Sequence, residues 1–126
     1  MYQDIFYQSH DGLTLYARDY PCTASQSQTA PTVLCMHGLS RNSMDFAGLA
    51  EALSENYRVI AVDQRGRGRS EYDSNPANYQ PAVYCQDMFT LLDTLGIDRV
   101  SLVGTSMGGI MSFIMTTMAP GRIQAM

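Results

Sequence analysis

Apolar and polar residues alternate near the N-terminus and then give way to short unbroken apolar runs. Leu13, Leu15 and Ala17 alternate with Thr14, Tyr16 and Arg18, the period of a strand buried on one face. The same reading makes residues 4–9 and 13–19 a hairpin. His10-Asp11-Gly12 supplies its turn, with a glycine free to take positive φ. Residues 21–31 are rich in Pro, Ser, Thr and Gln, which predicts a surface loop.

Three continuous apolar runs follow, Thr32–Met36, Arg58–Val62 and Arg99–Val103. Unbroken runs of this length read as strands covered on both faces. Helical periods fill the gaps. Phe46, Leu49, Ala50 and Leu53 recur at i, i+3, i+4 and i+7, with Asn42 or Ser43 as N-cap. Tyr84, Met88, Leu91, Leu92 and Leu95 form a second stripe, opened by Pro81 and closed by Gly96. Strands alternating with helices predict a three-layer α/β/α fold. Its sheet is mostly parallel behind an N-terminal hairpin, with five strands and three helices in all.

The third helix, about Met107 to Ala119, carries no charge and is apolar nearly all round. Such a helix needs protein on most of its surface, and little of the chain remains to cover it. Arg122–Met126 reads as the approach to a further strand that does not arrive. The expectation is one incomplete domain over residues 1–126.

Composition narrows the chemistry. The chain has 126 residues, 45% of them hydrophobic and 16% charged, a globular balance. Its net charge of −4 argues against nucleic acid or an anionic membrane as partner. Lysine is absent, which excludes a Walker A lysine, a Schiff-base lysine and a Ser-x-x-Lys pair. Cys22, Cys35 and Cys85 are widely spaced, so no metal site is expected. The N-terminus has no signal-peptide pattern and no stretch is long enough to span a bilayer. The expected compartment is the cytoplasm.

Gly104-Thr105-Ser106-Met107-Gly108 lies between an apolar strand and an apolar helix. Glycines at both ends allow a tight strand-to-helix turn that pushes Ser106 into open space. The helix N-terminus behind it favours developing negative charge. Ser106 is therefore the candidate nucleophile. The bland alternative is a glycine-rich turn that packs helix on strand.

Three segments together resemble the α/β-hydrolase superfamily: His37-Gly38, Asp63-Gln64-Arg65-Gly66-Arg67-Gly68-Arg69-Ser70 and Gly104-Thr105-Ser106-Met107-Gly108-Gly109. Their order and spacing match, over nearly the whole chain. The resemblance implies an oxyanion hole made by the backbone N–H groups of Leu39 and Met107. It implies structural or site-shaping roles for His37, Gly38, Asp63, Arg65, Gly104 and Gly108, with Asp63 expected to pair with an arginine. It also implies an acid and then a histidine after later strands. No acidic residue follows Ser106, and His10 sits in the hairpin turn.

The implied function is that of a cofactor-free serine hydrolase acting on a small ester or related acyl compound. The implied partner is the C-terminal half of the same domain, and the fragment alone is expected to be nearly inactive. Serine at position 106 argues against the dehalogenases and epoxide hydrolases of the superfamily, which use aspartate. Lactonase and carbon–carbon bond hydrolase remain open, as does a hydrolase-like binding module without catalysis. Arg65-Gly66-Arg67-Gly68-Arg69 lacks interleaved aromatics and does not match a dinucleotide loop. The connection from Gln64 to Tyr79 is expected to border the active-site mouth. Arg41 is a candidate contact for a substrate carboxylate.

Overall fold

Six strands make one sheet in the order β1-β2-β4-β3-β5-β6. They are β1 (Gln3–Gln8), β2 (Thr14–Tyr20), β3 (Thr32–Met36), β4 (Arg58–Asp63), β5 (Val100–Gly104) and β6 (Ile123–Ala125). A computed structural model describes residues 1–24 and 29–126; part of the predicted 21–31 loop lies outside them. β1 and β2 form the expected hairpin, with Gly12 at φ +89° in its turn. β2 then pairs antiparallel with β4, while β3 pairs parallel with both β4 and β5.

Helices α1 (Ala47–Leu53), α2 (Pro81–Thr94) and α3 (Met107–Met118) join these strands. The alternation of side chains along each strand sorts them into two layers. Leu34, Met36, Ile60 and Val62 pack with α2 and α3 residues Met88, Leu91, Leu92 and Met111. Val33, Cys35, Val59 and Ala61 face the other way, onto Phe46 and Ala50. The result is the predicted three-layer arrangement. Fully buried side chains such as Leu34 and Ile60 each stabilise it by about 1.5–3 kcal/mol.

Local chemistry explains the element ends. Asn42 caps the segment before α1 by accepting from Met44 N at 2.9 Å. The first turn there, Ser43–Phe46, is 3₁₀ rather than α. Pro81 opens α2, and Gly96 at φ +69° follows its end.

One expectation changes. The sheet has six strands rather than five, because residues 123–125 do form a strand, parallel to β5. A 3₁₀ turn at Pro120–Arg122 brings it there. Arg122 then fastens the turn, donating to the carbonyls of Asp98 and Ile97 and pairing with Asp93 at 2.7 Å. Helix α3 buries one face through Met107, Met111 and Met115, while Ile110 and Phe113 remain 56% and 66% exposed. No helix among the described residues is long and apolar enough to cross a membrane.

Candidate active site

β3, β4 and β5 run parallel, so their carboxyl ends share one edge of the sheet. That edge is where open α/β sheets place ligands. Three loops leave it: residues 37–42 after β3, residues 64–80 after β4, and the turn at Thr105–Ser106 after β5.

Ser106 has φ +55° and ψ −113°. It is the one non-glycine residue at positive φ among those described, a backbone state that costs of order 1–3 kcal/mol. The surroundings over-determine it. A Cβ at Gly104 would overlap the carbonyl of Gly108, and one at Gly108 would overlap the carbonyl of Met36. Only hydrogen at both positions lets α3 start so close to β3 and β5. Thr105 N donates to Met36 O at 3.2 Å, and Gly109 N and Ile110 N both donate to Ser106 O. The Ser106 side chain is exposed, and among the described residues its Oγ has no hydrogen-bond partner.

Gly38 lies directly opposite. A Cβ there would sit 3.6 Å from Ser106 Cβ and 3.8 Å from Thr105 O, so the peptide carrying Leu39 N–H runs beside the turn. Among the described residues, neither Leu39 N–H nor Met107 N–H has an acceptor. Met107 is the first residue of α3, where the N–H has no intrahelical partner. Two backbone donors thus stand free among the described residues, one on the loop after β3 next to Gly38 and one at the start of α3 next to Ser106.

His37 is fully buried and both of its ring nitrogens are engaged. Nε2 accepts from Gln64 N at 3.0 Å, which assigns the proton to Nδ1, and Nδ1–H donates to Gly38 O at 2.7 Å. Burial lowers its pKa below the ordinary histidine value. His37 braces the loop after β3 and has no free lone pair for Ser106. His10 is exposed in the β1–β2 turn. That turn shares the carboxyl edge, but β2 is three strands from β5, about 14 Å at ordinary strand spacing.

The loop after β4 departs from expectation at one residue and exceeds it at another. Among the described residues, Asp63 pairs with no arginine side chain. Its Oδ1 accepts from Ser43 N at 2.7 Å and its Oδ2 from Arg69 N at 2.9 Å. Backbone amides win because Gly68, at φ +54°, folds the loop over the carboxylate where any Cβ would collide with it. Arg65 carries the buried ion pairs of this loop. It is fully buried and bonds Asp87 through Nε and Nη2 (2.8 and 2.6 Å), Asp11 through Nη1 and Nη2 (2.9 and 3.1 Å) and Asp73 through Nη1 (2.7 Å).

Arg65 therefore ties together the β1–β2 turn, the loop after β4 and α2. Its hydrogen bonds hold Asp11 well below the usual carboxylate range. Burial pushes Asp87 up, against the pull of the guanidinium. Asp87 falls on the Tyr84–Leu91 stripe of α2, and a charge on that apolar stripe was the visible sign of a buried partner. Asp11 and Asp73 carried no such sign.

Arg67 reaches the loop after β3, donating from Nε to Leu39 O at 2.9 Å. Arg41 makes a two-point pair with Asp45, Nε to Oδ2 at 2.9 Å and Nη2 to Oδ1 at 2.8 Å, and its stem lies 3.7 Å from where a Gly38 Cβ would be. The three cysteines are buried and unbridged, and burial pushes Cys35 and Cys85 up to about 12. Neither is a thiolate nucleophile at neutral pH. No group of three or more His, Cys, Asp and Glu able to hold a metal occurs among the described residues.

A sequence model of the alpha/beta hydrolase fold matches residues 31–126. The chain belongs to the α/β-hydrolase fold family. A solved α/β hydrolase of Novosphingobium aromaticivorans superposes with a TM-score of 0.90 at 41% identity, covering 98% of this chain and 42% of that one. The 3-hydroxybutyrate-oligomer hydrolase of Cupriavidus necator is 46% identical over 81 residues, 64% of this hydrolase-fold chain and 28% of the relative. The bifunctional epoxide hydrolase 2 of Sus scrofa is 31% identical over 98 residues, 77% of this chain and 18% of the relative. The chain thus spans less than half the length of each relative, and the elbow carrying Ser106 lies inside the matched family region.

Proposed function

We propose that this chain carries the nucleophile and oxyanion donors of a serine hydrolase acting on a small ester or related acyl compound. The acid and the base histidine come from polypeptide outside residues 1–126. The observation that carries the reading is Ser106, held at positive φ with an exposed, unpartnered hydroxyl at the start of α3. That strained turn is what a nucleophile elbow requires. Engagement of both His37 nitrogens supports a base from elsewhere.

The chemistry runs in two halves. The base takes the Ser106 proton as Oγ attacks the acyl carbon, and the carbonyl oxygen becomes an oxyanion between Leu39 N–H and Met107 N–H. Each such donor contributes about 3–4 kcal/mol to the transition state. Collapse breaks the bond to the leaving alkoxide, which takes the proton back from the histidine. Water then repeats the sequence on the acyl-serine, releasing the acid and restoring the hydroxyl. Similarity to a 3-hydroxybutyrate-oligomer hydrolase, whose named substrate is joined through esters, supports the ester class. Serine in place of aspartate at the elbow argues against epoxide opening. Arg41 is the proposed contact for a substrate carboxylate, released from its solvated pair with Asp45.

The test is fluorophosphonate labelling followed by denaturing mass spectrometry, on the 126-residue chain and on the protein that carries it with its acid and histidine. An adduct on Ser106 in the second is expected, with turnover lost in Ser106→Ala. Absence of any adduct there would refute the nucleophile. Removing a triad histidine costs on the order of 10⁶ in kcat, so robust Ser106-dependent turnover by the 126 residues alone would refute an external base.

A further inference from the structure

Lysine is absent, so eight arginines supply the fixed positive charge of the side chains. Five of them, Arg41, Arg58, Arg65, Arg69 and Arg122, stand in ion pairs with aspartates. Among the described residues, Arg18, Arg67 and Arg99 have no carboxylate partner. Arg18 lies within β2, and Arg99 precedes β5 at the amino edge of the sheet. Of the three, Arg67 is the one on a loop at the carboxyl edge, where Ser106 stands.

Arg67 is half-buried, and its surroundings hold it in place without neutralising it. Nε donates to Leu39 O at 2.9 Å and Nη1 to Arg65 O at 3.0 Å. The guanidinium lies 4.9 Å from the centre of the buried Tyr84 ring and 5.9 Å from that of Tyr79. Arg65 is itself locked by three aspartates, so the platform under Arg67 is rigid. A guanidinium has more N–H groups than these two bonds use, and Nη2 has no partner among the described residues. Leu39 also carries the N–H assigned to the oxyanion. One residue and two hydrogen bonds therefore separate Arg67 Nε from the acyl oxygen, a span of at most about 10 Å.

We infer that Arg67 binds a carboxylate carried by the substrate, so that the favoured substrate is an ester with a free acid group within about 10 Å of its acyl carbon. The inference rests on the serine-hydrolase reading above and narrows its substrate class. Burying a cation without a counter-charge is costly, and a carboxylate in charge-assisted contact offsets that cost. At a net charge of −4 the chain as a whole repels anions, so an anionic ester needs a local cation. Arg41, on the loop after β3, must first leave its two-point pair with Asp45; Arg67 has no such pair to break. The contact is remote from the reacting carbon and is made in the bound ester and the transition state alike. It therefore acts on KM more than on kcat.

The experiment uses the protein that carries residues 1–126 together with the acid and histidine. Its substrates are 4-acetoxybenzoate, which bears a free carboxylate, and the methyl ester of that acid, which does not; release of the acetyl group is followed for both. The readout is selectivity, kcat/KM for the acid divided by kcat/KM for its methyl ester. Arg67→Met keeps the apolar stem over Tyr84 and removes the charge. Selectivity should fall about 10- to 100-fold, the worth of one charge-assisted hydrogen bond, chiefly through a higher KM for the acid. Arg67→Lys should recover part of it, keeping the charge without the planar fork. Unchanged selectivity in Arg67→Met, including equal losses on both esters, overturns the inference while Ser106→Ala still abolishes turnover. Selectivity that follows Arg41→Met alone overturns it too. If Arg67→Met does not fold, Arg67→Gln is judged by the same ratio. Absence of Ser106-dependent turnover in the parent protein would instead defeat the serine-hydrolase reading, and this inference with it.

Discussion

Replacing Arg65 by methionine removes the cation at the centre of three aspartates and leaves Asp87 fully buried beside an apolar side chain. Asp11 and Asp73 keep 30% and 10% of their side-chain surface and can turn to water, so Asp87 decides the outcome. Breaking a buried pair by removing one partner costs about 3–5 kcal/mol. Protonation sets a ceiling on that cost. Neutralising a carboxylate of ordinary pKa near 3.9 at pH 7 requires about 4 kcal/mol, at 1.36 kcal/mol per unit.

The sign of the pH dependence follows from the same group. Burial already raises Asp87 in the folded protein while Arg65 pulls it down, so losing Arg65 raises it further. The folded variant then binds more protons than the unfolded chain, and its stability falls as pH rises. The penalty relative to wild type should shrink from about 4 kcal/mol at pH 7 to about 1.5 kcal/mol at pH 5. Asp11 lies low in the wild type, and its contribution is lost only below about pH 4, so it leaves this window flat. Urea unfolding followed by circular dichroism at pH 5, 6 and 7 measures the difference. A penalty that does not change with pH, or one below about 1 kcal/mol at pH 7, would refute the assignment of Asp87 as the dependent partner.

Other consequences are more local. Gly108→Ala drives a Cβ into the Met36 carbonyl and should cost about 3 kcal/mol or prevent folding; Gly48→Ala, in α1 with open space around it, should gain about 0.5–1 kcal/mol. Thermal midpoints of the two variants check both, and equal midpoints would contradict the close approach of α3 to β3. Ser106→Gly should raise stability by about 1 kcal/mol by relieving the positive φ while abolishing turnover, as unfolding and ester hydrolysis run in parallel would show. His37 is held neutral by burial, so the unfolded chain takes up a proton first as pH falls. Its contribution is full above about pH 6.5 and declines below it. A pH titration of stability comparing wild type with His37→Gln should show that slope in the wild type alone.

Short-range pattern determined much of this protein. Runs such as Thr32–Met36 and stripes such as Tyr84–Leu92 gave strands and helices within a residue or so of their observed limits, because period and turn chemistry act over a few neighbours. The elbow was legible for the same reason: Gly104, Ser106 and Gly108 are close in sequence, and their spacing alone dictates a tight turn. The tertiary structure decided what depends on residues far apart. Arg65 meets Asp87 across 22 positions and Asp11 across 54. Arg67 reaches Leu39 across 28. The carboxylate of Asp63 goes to amides rather than to an arginine, since the fold of the loop at Gly68 governs which donors arrive first. Residues 123–125 become a strand because Arg122 finds carbonyls on the α2–β5 connection. Local sequence specifies what each segment is; which charges neutralise one another depends on where the sheet brings the segments together, and that is a property of the packed whole.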